Sequence, residues 1–484
     1  MTADGRDPNV LLLLTDQERF DVLGEAGPTV ETPALDRLCR DGTRFDSAYT
    51  PISICSAARA SILSGLYPHN HGMLNNCHEA DAIQANLPPD VVTFGELLRE
   101  AGYANTYLGK WHVGRDQGPS DFGFDYLGGS DRHHDQALES GFRAYQERLG
   151  VEPDADHLSE PVYTAGERNP TLVAGTTDVP PEATRAYYLA ERTIERLTSI
   201  DDATEPFFHR TDFLGPHHPY VVPEPYASMY DPDELELPPS YAETYAGKPA
   251  VQEQYLTYRG VDDFDRDLWS DVLAKYLGFV TLIDEQIGRI LDALDDAGLA
   301  GSTVVVHTSD HGDFVGGHRQ FNKGPLMYDD TYHVPLVIRG PDDVDAGVPA
   351  GRACDEFVSL VDLMPTFLEL AGVAVPGHVD GRSLLPLLAG EADDWRTSVF
   401  AEYHGDEFGL YSQRMVRTAE YKFVYNGPDV NELYDLRADP HELANLIDHP
   451  DHRSARRELG RSLLGWMEST DDPLSRWTAT HLTR

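Results

Sequence analysis

The sequence predicts an α/β fold: a doubly wound mixed sheet flanked by helices, followed by a smaller C-terminal antiparallel sheet. Three observations predict it. Val10 to Leu14 and Thr303 to His307 are short, largely apolar runs, as strands buried on both faces of a parallel sheet require. Val272, Tyr276, Phe279, Val280, Ile283, Ile287, Ile290, Leu291 and Leu294 recur at three and four residues, the spacing of an amphipathic helix feeding the second run. Beyond Val375 the pattern changes to short alternating runs, the signature of half-buried antiparallel strands.

Taken in order, the first strand is bounded by Pro8 and by Thr15-Asp16-Gln17, so Asp16 and Gln17 stand at its carboxyl end. The stretch at about 132–267 is rich in Pro, Tyr, His and acidic residues without sustained periodicity, and reads as a loop-rich, substrate-shaping insertion. The long helix can end at Gly298. The strand after it runs into Thr308-Ser-Asp-His-Gly312, placing Asp310 and His311 just past a strand end, where open α/β sheets hold ligands. Val334 to Arg339 reads as a further strand and Phe357 to Gly372 as a helix. Val399 to Tyr403, Arg414 to Arg417, Tyr421 to Tyr425 and Leu433 to Leu436 read as the small sheet, with helical pieces near Glu442 to Ile447 and Ser454 to Met467. The expected organisation is a catalytic α/β domain over 1–374 and an α+β subdomain over 375–484.

Charge narrows the partners. The chain has 38 Lys+Arg against 82 Asp+Glu, a net charge of −44, which repels nucleic acid and anionic membranes. Salt near 1 M shrinks the Debye length to about 3 Å, so a halophilic cytosol is the expected setting. No stretch approaches the ~18 consecutive apolar residues of a membrane span. Met1 to Pro8 shows neither a basic n-region nor a cleavage site, and the four cysteines are too sparse for a disulfide scaffold, so a cytoplasmic location is expected.

Cys55-Ser-Ala-Ala-Arg59 opens a segment that reads as a loop entering a helix, where backbone N–H groups and the helix dipole favour negative charge. Arg59 lies one turn on, within reach of the same helix end, and can hold an anion there.

These residues resemble the signature of the sulfatase family of the alkaline phosphatase superfamily, Cys-x-Pro/Ala-x-Arg. Glu31 to Arg37, Tyr67 to Gly72, Gly109-Lys-Trp-His112, Thr308 to Gly312, Asn322-Lys-Gly324 and Glu432 to Asp435 look like further family blocks in family order. The resemblance implies that Cys55 is oxidised by a formylglycine-generating system, and that the aldehyde hydrate attacks sulfur with one hydroxyl and expels sulfate with the other. It implies one divalent metal ion, held by Asp16, Gln17, Asp310, His311 and the modified Cys55. Lys110 and Lys323 would bind the sulfate, His112 act as base during release, and His217 contact or protonate the leaving oxygen, with neighbouring His218 able to take that last role. His69 and His71 look structural.

Two positions depart from the commoner family pattern, which has Asp at 17 and Asn at 311. Gln17 removes a negative charge and His311 adds an imidazole, so Ca²⁺ by resemblance competes with Mn²⁺, Mg²⁺ or Zn²⁺. The pairing looks like the branch of choline sulfatases and phosphonate monoester hydrolases. The implied activity is therefore sulfuric ester hydrolysis of a small-molecule or saccharide sulfate, with a phosphonate monoester or phosphodiester hydrolase as the enzyme alternative. A binding protein retaining the fold is the non-enzyme alternative, disfavoured by the full set of polar residues. An oligomer is compatible with the sequence.

Overall fold

The computed structural model describes residues 7–23, 30–79, 82–128, 134–165, 170–200, 205–341, 348–391, 393–406, 409–427 and 429–482, with the side chains of 134–139 excluded. Residues 1–6, on which the export reading partly rests, lie outside them.

The main sheet has eight strands: β1 (Asn9–Asp16), β2 (Thr43–Phe45), β3 (Ala104–Gly109), β4 (Asp125–Tyr126), β5 (Phe207–Pro216), β6 (Thr303–Ser309), β7 (Leu336–Arg339) and β8 (Arg352–Cys354). Their spatial order is β8-β2-β7-β6-β1-β5-β3-β4. Strands β3, β5, β1 and β6 are parallel neighbours, with Val10 opposite both Phe208 and Val304. Strand β7 runs antiparallel to β6 and β2, which makes the sheet mixed. Alternate residues of β1 enter two different cores, Val10, Leu12 and Leu14 on one face and Leu11 and Leu13 on the other. A strand covered on both faces gains nothing from polar alternation, hence its unbroken apolar run.

The helices that use these faces are α1 (Pro33–Asp41), α2 (Cys55–Ser64), α3 (His134–Arg148), α4 (Arg185–Thr198), α5 (Arg266–Asp296) and α6 (Leu363–Leu370), and α7 (Arg453–Ser469) lies on the C-terminal sheet. Helix α5 is longer than its periodic core, because Asp265 caps its first turn through Leu268 N–H and Trp269 is also buried. It ends at Ala297, and Gly298 follows at φ +67°, the left-handed step expected of a glycine there. Helix α6 is shorter than Phe357 to Gly372, since Val358–Ser359 pairs with Ala48–Tyr49 as strand and Leu360–Asp362 forms a 3₁₀ turn.

The C-terminal antiparallel sheet consists of β9 (Ser398–Tyr403), β10 (Gln413–Thr418), β11 (Tyr421–Tyr425) and β12 (Glu432–Asp435) in that order. Helix α7 packs Leu459, Leu463, Trp466 and Met467 against Val416, Phe423 and Leu433. Glu442 to Ile447 is turn and bend rather than helix.

The middle of the chain differs most from expectation. It contains α4 and the central strand β5, which lies between β1 and β3. Polar residues concealed that strand. His209, Arg210, Thr211 and Asp212 are all buried, and they are tolerated because His209 Nδ1 lies 2.8 Å from Thr106 Oγ1 and Arg210 donates to Asp212 at 2.6 Å.

Candidate active site

Four parallel strands end along one edge of the sheet, and each releases candidate residues there. Strand β1 ends in Asp16 and Gln17, β3 leads to Lys110 and His112, β5 to His217 and His218, and β6 to Asp310 and His311. Helix α2 brings Cys55 at its first position. Gln17, His112 and Asn322, the neighbour of Lys323, have φ of 69°, 57° and 66°. Non-glycine residues rarely adopt such values, and here they turn the chain sharply just where these side chains are presented.

Asp16, Cys55, Asp310 and His311 are buried together, with one potential ligand atom of each within 4.8 Å of the others. Cys55 Sγ lies 3.2 Å from His311 Nε2 and 3.9 Å from Asp16 Oδ1. Burial raises the Cys55 thiol pKa, but Lys110, Lys323 and His311 outweigh it and hold the group well below the ordinary thiol range. Burial also opposes the charge on Asp16, yet Lys110, 2.5 Å away, with His217 and Arg59 keeps its carboxyl below the usual range. Burial and the negative charge of Asp16 push Asp310 up.

Gln17 turns its carbonyl oxygen toward Lys323 Nζ at 3.2 Å and donates its amide to Asp313 at 2.5 Å. Lys323 Nζ stands 3.5 Å from His217 Nε2, while His217 Nδ1 faces the His218 carbonyl at 2.6 Å. His218 stacks on His217, and burial, followed by His217 and Lys323, pushes it well below the ordinary imidazole range. Burial and Lys110 push His112 down to about 3, leaving it neutral. His69 and His71 lie away from this cluster, bonded to Glu402 and Ser61 respectively.

Arg59 lies within the buried cluster. Its guanidinium is fully buried and donates to Asp310 at 2.9 Å, Asp16 at 2.9 Å, the Lys110 carbonyl at 3.0 Å, and Asp212. These bonds tie it to four strands of the sheet, through Asp16 on β1, Lys110 after β3, Asp212 in β5 and Asp310 after β6. The one-turn spacing from Cys55 on α2 brings it to the same cluster of carboxylates.

Two contributors escaped the sequence reading. Asp212 accepts from Arg59, Arg210 and Tyr107 within the unrecognised strand. His78 meets His112, Nδ1 to Nε2, at 2.7 Å, and its other nitrogen lies 3.0 Å from Glu79. Asp212 could have been found had β5 been recognised, whereas nothing in Cys77-His-Glu79 marks a site.

A cavity of about 570 Å³ opens over Cys55, Lys110, His112, His217 and Lys323. Asp16, Arg59, Asp310 and His311 lie outside its lining, below the floor. The arrangement offers a nucleophile position and several cationic or neutral nitrogen donors to a tetrahedral oxyanion, with a buried cluster of potential metal ligands beneath.

Comparison with known proteins agrees with this geometry. The Sulfatase family matches residues 8–373, and the family described as N-sulphoglucosamine sulphohydrolase, C-terminal, matches residues 316–468. The arylsulfatase of Clostridium perfringens is 29% identical, over 96% of this chain and 95% of its own length. The multifunctional alkaline phosphatase superfamily protein PehA of Trinickia caryophylli is also 29% identical, over 96% of each chain. Among solved structures, the phosphonate monoester hydrolase of Agrobacterium radiobacter superposes with a TM-score of 0.79 at 27% identity, over 96% of each chain. The chain is an enzyme that belongs to the sulfatase family of the alkaline phosphatase superfamily.

Proposed function

We propose that the chain is a metal-dependent sulfuric ester hydrolase whose nucleophile is formylglycine made from Cys55. The observation that carries this reading is Cys55 at a cavity floor, packed against Asp16, Asp310 and His311 and faced by Lys110 and Lys323. Two buried carboxylates and an imidazole grouped around Cys55 suit a divalent cation. Asp16, Gln17, Asp310, His311 and the modified Cys55 would hold it, and when bound it polarises the nucleophile and offsets charge on the sulfuryl oxygens. Ca²⁺ is the family expectation, and His311 favours testing Mn²⁺ and Zn²⁺ beside it.

The remaining steps belong to the chain's own residues. Lys110 and Lys323 hold the oxyanion from two sides. His112, neutral and in contact with Cys55, receives a proton there, with His78 fixing its ring orientation through the far nitrogen. His217 stands beside Lys323 at the position for the leaving oxygen. Arg59 and Asp212 keep the carboxylates in place. Segments within 132–267 supply the far wall of the cavity, and maturation needs a formylglycine-generating system, in the expected cytoplasmic and saline setting.

A second reading is favoured by Gln17 and His311, and by similarity to the Agrobacterium phosphonate monoester hydrolase: hydrolysis of phosphonate monoesters or phosphodiesters at the same site. Relative turnover of an aryl sulfate and an aryl phosphonate monoester by metal-loaded, formylglycine-positive protein tests both. Loss of activity on chelation and in Cys55→Ala is expected. Faster phosphonate turnover would select the second reading, and indifference to both perturbations would overturn the mechanism.

A further inference from the structure

The cavity is chemically divided. Beside the reactive cluster, Phe142, Val179, Val221, Phe279 and Leu282 contribute apolar surface to its lining. Phe279, on α5, comes close to the chemistry because of Gly215. A β-carbon at position 215 would lie 2.4 Å from the Phe279 ring and 2.8 Å from the end of Ile283, closer than packed atoms approach. The missing side chain thus seats the ring on the end of β5, two residues before His217. A leaving oxygen beside His217 puts the next atoms of its alcohol against that ring.

The polar side chains along this surface are occupied. Gln146 donates to the Ala183 carbonyl at 3.2 Å, Thr184 to the Pro181 carbonyl at 2.7 Å, and Thr177 accepts from Val179 N–H at 3.2 Å. Arg185 lies with its guanidinium 4.8 Å from the Phe142 ring centre. Several sugar hydroxyls brought here would exchange water for partners already engaged, and each such loss is costly. Among the described residues lining the cavity none is Asp or Glu, so a cationic alcohol would meet Lys323 and Lys110 without a compensating carboxylate.

We propose that Phe279, seated on Gly215, is a specificity-determining residue that selects esters of compact apolar alcohols, alicyclic or aromatic, over polyhydroxylated or cationic ones. The proposal rests on the reading that the leaving oxygen lies beside His217.

The test compares esters whose leaving groups are alike in size and intrinsic reactivity. Cyclohexylmethyl sulfate and glucose 6-sulfate are both primary alkyl esters on a six-membered ring, one apolar and one hydroxylated. The mature, metal-loaded enzyme should favour the first in kcat/KM by ~100-fold, the discrimination expected when polar groups are desolvated unpaired. Phe279→Ala should lower that ratio by ~10-fold, mainly by raising KM for the apolar ester, since the lost ring face removes apolar contact. Phe279→Leu should restore much of it. Gly215→Ala, which displaces the ring while keeping it, should lower the ratio in the same direction with α5 intact. Preference for glucose 6-sulfate or for choline sulfate, or equal losses for both ring esters in Phe279→Ala, would overturn the proposal.

The same pair prepared as methylphosphonate esters separates this result from failure of the sulfatase reading. Turnover of phosphonates alone would overturn the sulfatase reading, while the ratio between the two alcohols still judges Phe279. Should neither series turn over, calorimetric affinities of the two sulfates for Cys55→Ala protein decide, and equal affinities would overturn the proposal.

Discussion

Replacing Arg59 separates two roles for one buried cation. In Arg59→Ala, Asp16 keeps Lys110 at 2.5 Å and Asp212 keeps Arg210 at 2.6 Å. Asp310 fares worst: with Arg59 gone, its nearest donors are the backbone N–H groups of Gln17 at 3.2 Å and His311 at 3.0 Å. Removing one partner from a buried pair costs about 3–5 kcal/mol, a large share of the ~5–15 kcal/mol that holds a typical fold together. Arg59→Lys retains the charge but loses the planar fork that reaches three carboxylates and a carbonyl, so roughly half the loss is expected. The assay is equilibrium urea unfolding at fixed high salt, followed by circular dichroism and tyrosine fluorescence, beside steady-state kinetics. A lower midpoint for Arg59→Ala, an intermediate one for Arg59→Lys, and reduced metal retention in both are expected. An unchanged midpoint with a raised KM would refute the clamp and restore Arg59 as a substrate-binding group.

Other perturbations address the nucleophile, the metal, acid stability and the charge field. Peptide mass spectrometry of active protein should show formylglycine at position 55, and Cys55→Ser should turn over once at best, because a single hydroxyl cannot expel the sulfate; full activity with unmodified thiol would contradict this. Asp310→Asn should lose metal during purification, and His311→Asn should shift preference toward Ca²⁺; elemental analysis and metal-rescue assays measure both, and an unchanged preference would remove His311 from the ligand set. Burial holds His71 down at about 3, with its Nδ1 accepting the Met73 N–H. The unfolded chain therefore binds a proton that the folded chain refuses between pH ~6.5 and about 3, and stability should fall by about 1.4 kcal/mol per pH unit from this group on acidification through that window. Urea midpoints across that window should fall less steeply in His71→Asn, and parallel curves would reject the assignment. Raising salt should increase kcat/KM for an anionic aryl sulfate more than for a zwitterionic ester, because the −44 net charge is screened while contacts inside the cavity are not; equal salt responses with an intact fold would reject the electrostatic reading.

Much of the fold was legible because burial writes itself into sequence as apolar periodicity. β1, α5 and β6 carry that signal, and the two polar clusters at the ends of β1 and β6 come together because these strands are parallel neighbours, Thr15 opposite Ser309. Cys55, Lys110, His112, His217 and Lys323 were legible only through the family-like motifs around them, since no periodicity links residues brought together from different strand ends. The first turn of α2 was readable from the loop-to-helix pattern, but not the direction in which Arg59 points. That direction depends on Asp16, Asp212, Asp310 and the Lys110 carbonyl, partners that the local sequence around Arg59 does not specify.

Strand β5 shows why the remaining part was hidden. A central strand normally declares itself by being apolar, yet the residues from His209 to Asp212 are polar and buried. Asp212 supplies negative charge to Arg59 and Arg210, Tyr107 bonds to the same carboxylate, and Thr211 meets Thr193 on α4 at 2.7 Å. Most of these polar groups are tolerated because a neighbour on another strand or helix bonds them, and hydrophobic patterning cannot register a partner of that kind. The central strand β5 was therefore the one its sequence concealed: its interior holds Asp212, which helps to hold Arg59 against Asp16 and Asp310, and that polar pairing replaced the apolar signal by which a buried strand is recognised.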